Sequence, residues 1–416
     1  MNANVFEKYE SEVRSYCRSF PAKFVTARDC YIYAEDGKEY LDFFSGAGAL
    51  NYGHNNPYIK DKLIEYIQND GITHALDMYT GAKEEFIETF QEKILKPRGL
   101  DYKIQFTGPT GTNAVEAAIK LARIGTGRQN VFALMGAFHG MTLGSLALTT
   151  ASGSRAGAGV PLNNVYHVPA PYMFPDMDVL EFVEKILSDE HSGVEKPAAF
   201  ILETVQAEGG VHVMDIDFLK GVREICDRHE IVFIVDDIQV GCGRTGTFFS
   251  FEDAGIVPDM VTLSKSISGF GLPMAITLMK PEFDVWSPGE HNGTFRGNQH
   301  AFVTAKAGIE FACDENLYEK VNYASDLAAG RLNYDLREFE NFEIRGKGLI
   351  IGIDVRDEQF AKDVAARCFE KGLIIERTGR HSTTLKILPP LTIKYADLMK
   401  GIDIIIDSIK EVKMVK

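Results

Sequence analysis

The chain has 416 residues, 45% hydrophobic and 11% aromatic, which is long enough for a substantial core and for about two or three domains. A formal charge of −15 argues against nucleic-acid binding as its main role, although local basic pockets for acidic substrates stay open. The six cysteines, at 17, 30, 226, 242, 313 and 368, lie far apart with no C-x-x-C pair, as expected of reduced thiols. The N-terminal stretch carries acids and no signal-like apolar run, and no segment reaches membrane-spanning length, so a cytoplasmic location is expected.

In chain order, a polar segment to about Arg28 precedes residues 30–44, whose alternation around Asp36-Gly37 predicts a hairpin. The Gly- and Asn-rich stretch SGAGALNYGHNNP predicts a loop, and helices are expected over 58–69 and 82–95, the second with Phe86, Phe90 and Ile94 on one face. A short strand at 103–106 leads into TGPTGTNAVEAAIKLAR, a loop running directly into a helix with Val115, Ala118, Ile119 and Ala122 as its buried stripe. The first turn of such a helix offers unpaired N–H groups and partial positive charge. Gly111 and Thr112 therefore suit a phosphate, although no G-K-[ST] follows, and in isolation Thr112 or Asn113 serves equally as an N-cap.

The next expected strand, 131–138, ends in Phe138-His139-Gly140, where an aromatic ring would either stack on a planar ligand or join the core. Residues 152–175 lack periodicity and predict a long surface or interface excursion. A strand over 198–205 ends in ETVQAEGG, with Glu203 and Glu208 at the rim of a sheet, and without a histidine cluster these acids do not suggest a metal. After a helix over 216–229, the apolar run 231–235 delivers Asp236, Asp237 and Gln239, and a second run, 260–263, presents Lys265. In open α/β sheets ligands bind at the C-terminal strand edge. An acid that keeps a pyridine nitrogen protonated, and a desolvated lysine able to condense with an aldehyde, are the pair a pyridoxal phosphate enzyme needs. A buried acid and a surface lysine would account for the pair alone equally well.

The details carry further. V-D-D-I-Q, G-C-G-R-T-G, a Pro-Asp step and T-L-S-K closely resemble the signature of the class III aminotransferases, with Asp237 standing where that family usually has Glu. The resemblance covers essentially the whole chain. It implies a fold-type I α/β architecture, with a mostly parallel mixed sheet in a large domain over 57–313 and a smaller α+β domain over 314–416 joined by residues 1–56. Lys265 and Asp236 are then the expected catalytic pair, with Gly111, Thr112, Phe138, His139 and Gln239 against pyridoxal 5'-phosphate, and residues 47–49 near substrate. Thr294, in H-N-G-T-F-R-G-N, is expected to reach the cofactor phosphate of a neighbouring subunit, which implies a homodimer with shared sites.

Within the family, the segments FTGPTGTNAVEAA, AFHGMTLGSLALTTA and LKILPPLTI most resemble those of members that form 2,4-diaminobutyrate, and the resemblance implies transfer of an amino group from glutamate to aspartate 4-semialdehyde for ectoine, siderophore or peptide-antibiotic synthesis. Alternatives are another ω-amino acid such as 4-aminobutyrate or ornithine, a non-transaminating enzyme of the same fold, or a nucleotide-binding protein using the 107–125 loop. Glu208 matches the acid that, in related ω-aminotransferases, pairs with a carboxylate-binding arginine. Lys386 occupies that arginine's position, Met141 stands where a second arginine is expected, and Arg296 is the candidate to compensate.

Overall fold

The computed structural model describes residues 5–415. The N-terminal part forms β1 (Phe24–Arg28), β2 (Tyr31–Ala34) and β3 (Glu39–Asp42), with the turn at Asp36-Gly37 as expected and β1 as an additional strand. A central sheet follows from β4 (Lys103–Phe106), β5 (Val131–Leu134), β6 (Val165–Val168) and β7 (Ala199–Leu202). A two-stranded ribbon of β8 (Val205–Gln206) and β9 (His212–Val213) intervenes before β10 (Val232–Asp236), β11 (Met260–Leu263) and β12 (Ile276–Met279) complete the sheet. The C-terminal part contributes β13 (Glu343–Lys347), β14 (Ile350–Asp354), β15 (Leu373–Ile374), β16 (Glu376–Thr378) and β17 (Thr384–Ile387).

The central sheet has seven strands in the order β4-β12-β11-β10-β7-β5-β6. Only β12 runs against the others, pairing antiparallel with both β11 and β4. The C-terminal ends of six strands therefore open on one edge, the edge at which loops from different strands can converge on a ligand. All five residues of β10 are buried because both faces are covered: Phe233 and Val235 join one apolar cluster, Val232 and Ile234 another. The helix Gly111–Thr126 belongs to the second of these layers through Val115, Ala118, Ile119 and Ala122, the stripe expected from its periodicity.

Two expectations need correction. Residues 152–175 are not an irregular excursion throughout: they contain β6, which extends the sheet parallel to β5. The strand expected over 131–138 stops at Leu134, because Gly136 turns the backbone out with φ 86°. Phe138 thus sits in a loop beyond the strand end. In the C-terminal part, the helix Glu358–Glu370 buries Phe360, Ala361, Val364 and Cys368.

The two ends of the chain are tied together, since β3 pairs in parallel with β15. Arg244 adds a buried cross-link: its guanidinium donates to the Leu349 carbonyl at 2.9 Å and to Asn51 Oδ1 at 2.6 Å. Burial alone pulls its pKa down to about 9. Among the described residues, no helix is long and apolar enough to cross a membrane.

Candidate active site

Loops from five different strands meet at the open edge of the sheet. Gly111, Thr112, Phe138, His139, Glu208, Asp236, Gln239 and Lys265 line one cavity of about 170 Å³, together with Gly140, Glu203, Val205, Ile238 and Val240. Neighbouring parallel strands put Asp236 at the end of β10 beside Thr262 of β11, with Lys265 three residues further on. Lys265 takes φ 53°, a left-handed conformation that costs a non-glycine residue about 1–2 kcal/mol. Neighbouring contacts hold that turn in place. The Ser266 hydroxyl donates to the Gly48 carbonyl at 2.6 Å and accepts from the Asn51 N–H at 3.2 Å, while a Cβ at Gly269 (φ 74°) would come within 2.2 Å of the Thr304 carbonyl oxygen.

Burial strips water from Lys265 and brings its pKa down to about 8, so a reactive neutral amine is accessible near neutral pH; of its charged neighbours, Glu208 pulls upward and Lys386 downward. Asp236 Oδ1 accepts from the Thr262 hydroxyl and the Ile238 N–H, both at 3.2 Å, and Oδ2 lies 2.7 Å from His139 Nδ1. Burial disfavours a charged His139, yet the hydrogen bond and charge of Asp236 outweigh it and hold the imidazole above its usual value. Glu203 is fully buried and its carboxyl is pushed up to about 7, mainly by desolvation, while its Oε1 accepts the Phe138 N–H at 3.0 Å.

The N-terminus of the helix Gly111–Thr126 faces the same cavity. Its N-cap is Thr110, not Thr112 or Asn113: the Thr110 N–H and hydroxyl donate to Asn113 Oδ1 at 3.3 and 2.8 Å. Gly111 and Thr112 are left in the first turn, where backbone N–H groups have no partner within the helix. A Cβ on Gly111 would come within 2.9 Å of Ile238 Cδ1, so the close approach of this helix to the β10 loop requires glycine.

On the other side, Lys386 is completely buried on β17. Its Nζ reaches Glu208 Oε1 at 2.6 Å, Glu376 Oε2 at 2.9 Å and Gln239 Oε1 at 3.4 Å. Gln239 Nε2 also donates to Glu208 Oε1 at 3.1 Å and to the Ala47 carbonyl at 3.0 Å. Desolvation alone would raise the Glu208 carboxyl, but Lys386, Lys265 and these hydrogen bonds hold it well below its usual range. Two of these neighbours escaped the sequence reading. Glu376, on β16, and Tyr16, whose hydroxyl donates to Glu376 Oε1 at 3.3 Å, belong to no motif and are identified only by strand register and chain reversal.

Thr294 and Arg296 are not brought to this cavity within the chain. The Thr294 carbonyl lies 2.8 Å from His74 Nε2, and Arg296 pairs with Asp77 and lines a different depression with Trp286 and Lys103. Met141 is exposed, and Ala47 meets the site through its carbonyl on Gln239.

Residues 15–409 match the family "Aminotransferase class-III". The chain is 53% identical over 410 residues to the diaminobutyrate--2-oxoglutarate transaminase of Halalkalibacterium halodurans, covering 98% of this chain and 96% of that protein. It is 52% identical over 411 residues to the transaminase of the same name from Nocardia farcinica, covering 98% and 94%. Among solved structures, a Bacillus anthracis aminotransferase superposes with a TM-score of 0.87 at 26% identity, covering 98% of this chain and 97% of that one. With lysine and acid converging at the C-terminal sheet edge as the signature led one to expect, and with this likeness running the length of the chain, the protein belongs to the class-III aminotransferases, whose cofactor is pyridoxal phosphate.

Proposed function

We propose that the protein is an ω-aminotransferase that takes the amino group of L-glutamate and delivers it to L-aspartate 4-semialdehyde, forming 2-oxoglutarate and L-2,4-diaminobutyrate. The observation that carries the chemistry is one cavity holding Lys265, Asp236 and an open helix N-terminus, and the substrate pair is supported by the diaminobutyrate and 2-oxoglutarate named for the relatives above half identity.

The residues present fit the cofactor on three counts. Asp236 lines the cavity with its carboxylate held by His139, Thr262 and the Ile238 N–H; Gly111 and Thr112 keep first-turn N–H groups for a phosphate; and Lys265 is desolvated as an aldehyde-binding amine should be. Bound there, pyridoxal phosphate supplies an electron sink for the substrate carbon that carries the amine. Asp236 would hold a proton on the ring nitrogen, with His139 fixing Oδ2, and Phe138 would lie against the ring face. Lys265 Nζ would hold the cofactor's aldehyde and would serve as the base that moves the proton at the amine-bearing substrate carbon. Glu208 and Gln239 would set the distal end of the substrate.

We further infer a cytoplasmic homodimer. The support is an exposed apolar strip, with Ile72 52%, Met78 61%, Tyr79 99% and Phe295 68% exposed, on the same surface as Thr294. All six cysteines are free. The test of function is a spectrum of the holoenzyme. Its visible cofactor band should change on adding glutamate and return on adding aspartate 4-semialdehyde; a band indifferent to both would overturn the assignment.

A further inference from the structure

Lys386 faces two carboxylates with one charge, and the two are held in different ways. Glu376 stands directly opposite Lys386 in the antiparallel pairing of β16 and β17, so backbone register keeps the pair together. Glu208 instead belongs to the short loop between β8 and β9, followed by Gly209 and by Gly210 at φ 119°; its carbonyl is anchored by the Gly379 N–H at 3.2 Å and the Thr378 hydroxyl at 3.0 Å, but its carboxylate is held only by the side chains of Lys386, Gln239 and Thr378. If Glu208 turns toward a substrate, Lys386 is still neutralised. A substrate carboxylate brought to Lys386 would then meet the Glu376 carboxylate in a buried site, where like charges repel strongly.

We propose that Glu376 is a specificity-determining residue: ionised, it keeps Lys386 neutralised and the site suited to the ammonium-bearing end of the diamine, and on taking up a proton it releases Lys386 to a carboxylate of glutamate or 2-oxoglutarate. This rests on the reading that both substrates use the one site. The groups facing Glu376 are Lys386 on β17, Glu208 from the β8–β9 loop, Tyr16 from the N-terminal part and, at longer range, Lys265 after β11. Burial raises its carboxyl, Lys386 lowers it and Glu208 raises it again, with the balance on the raised side. The Tyr16 hydroxyl, donating to Oε1, favours the ionised form.

The experiment is calorimetric titration of the holoenzyme with glutarate, an unreactive dicarboxylate, in buffers of different ionisation enthalpy. The wild type should take up about one proton per glutarate bound, and its affinity should fall about tenfold per pH unit above the Glu376 pKa. In Glu376→Gln both effects should vanish. The same variant should lower KM for glutamate and 2-oxoglutarate while raising KM for 2,4-diaminobutyrate, a split that a loss of general stability would not produce. Tyr16→Phe, which leaves the carboxylate in place, should shift the pH dependence in the direction of easier protonation. Proton-neutral glutarate binding by the wild type, or uptake that persists in Glu376→Gln, would overturn the proposal. If the wild type converts glutamate but not 2,4-diaminobutyrate, the substrate reading fails while the glutarate result still decides the role of Glu376.

Discussion

His139 Nδ1 lies 2.7 Å from Asp236 Oδ2, with both side chains withdrawn from solvent, so the acid at the end of β10 is oriented from behind by an imidazole from the loop after β5. Asp236→Ala, with cofactor saturating, is expected to lower kcat by about 10²–10⁴, the usual scale for losing control of a proton in the transition state. His139→Asn should cost less, about 10–100-fold through misplacement of the carboxylate, and should shift the pH titration of the visible cofactor band. Steady-state rates and absorbance titrations check both; an Asp236→Ala enzyme with wild-type kcat would remove the assignment.

Lys265→Ala should abolish turnover while leaving the fold intact. In the cofactor-free protein, the rate at which added pyridoxal phosphate condenses with the chain should rise with pH through about 8, because the lowered pKa of Lys265 is where its neutral amine appears. Single-turnover kinetics across pH 6–9 would measure it, and a flat profile would argue against Lys265 as the titrating group.

The fully buried Asp237 carboxyl, with no partner for Oδ1, is pushed up to about 7 by desolvation. A carboxyl raised in the folded state contributes stability that is fully present below its unfolded pKa and is lost as pH rises through the folded value. Tm should therefore fall between about pH 4 and 7, with Glu203, raised likewise to about 7, adding to the trend. Asp237→Asn should make the curve shallower. Thermal melts of both proteins across that range would show it.

Lys386→Met should not act as the simple loss of a substrate-binding cation. It leaves Glu208 and Glu376 buried beside each other without their counter-charge, a break that typically costs about 3–5 kcal/mol. Adding Glu376→Gln to Lys386→Met should recover part of that loss. Denaturant unfolding of the single and double variants would establish the coupling, and additive effects would contradict it.

Tyr79→Glu, on the exposed apolar strip, should weaken self-association and, with it, activity. Sedimentation of the variant against wild type at equal concentration would test this, an unchanged oligomer being the contrary result.

Much of the fold could be read from the chain because its elements are locally encoded. The strands 103–106 and 260–263 appear where the sequence places them, and the helix Gly111–Thr126 follows its apolar stripe although its cap lies at Thr110. The strand ends carrying Asp236 and Lys265 were legible from the apolar runs before them, but it is the signature V-D-D-I-Q … T-L-S-K around them that singles the pair out, and parallel strands deliver those ends to one edge. What the sequence could not determine depends on contacts between residues hundreds of positions apart. Glu376 is an unremarked acid in a short strand until register sets it against Lys386, and Tyr16 gains meaning only when the N-terminal part folds back onto β16. Lys386, in the position of an expected arginine, has only Glu208 as its expected partner from the sequence. Tertiary structure made it the centre of a buried three-charge cluster, because a cation withdrawn from water must find its counter-charges inside the protein.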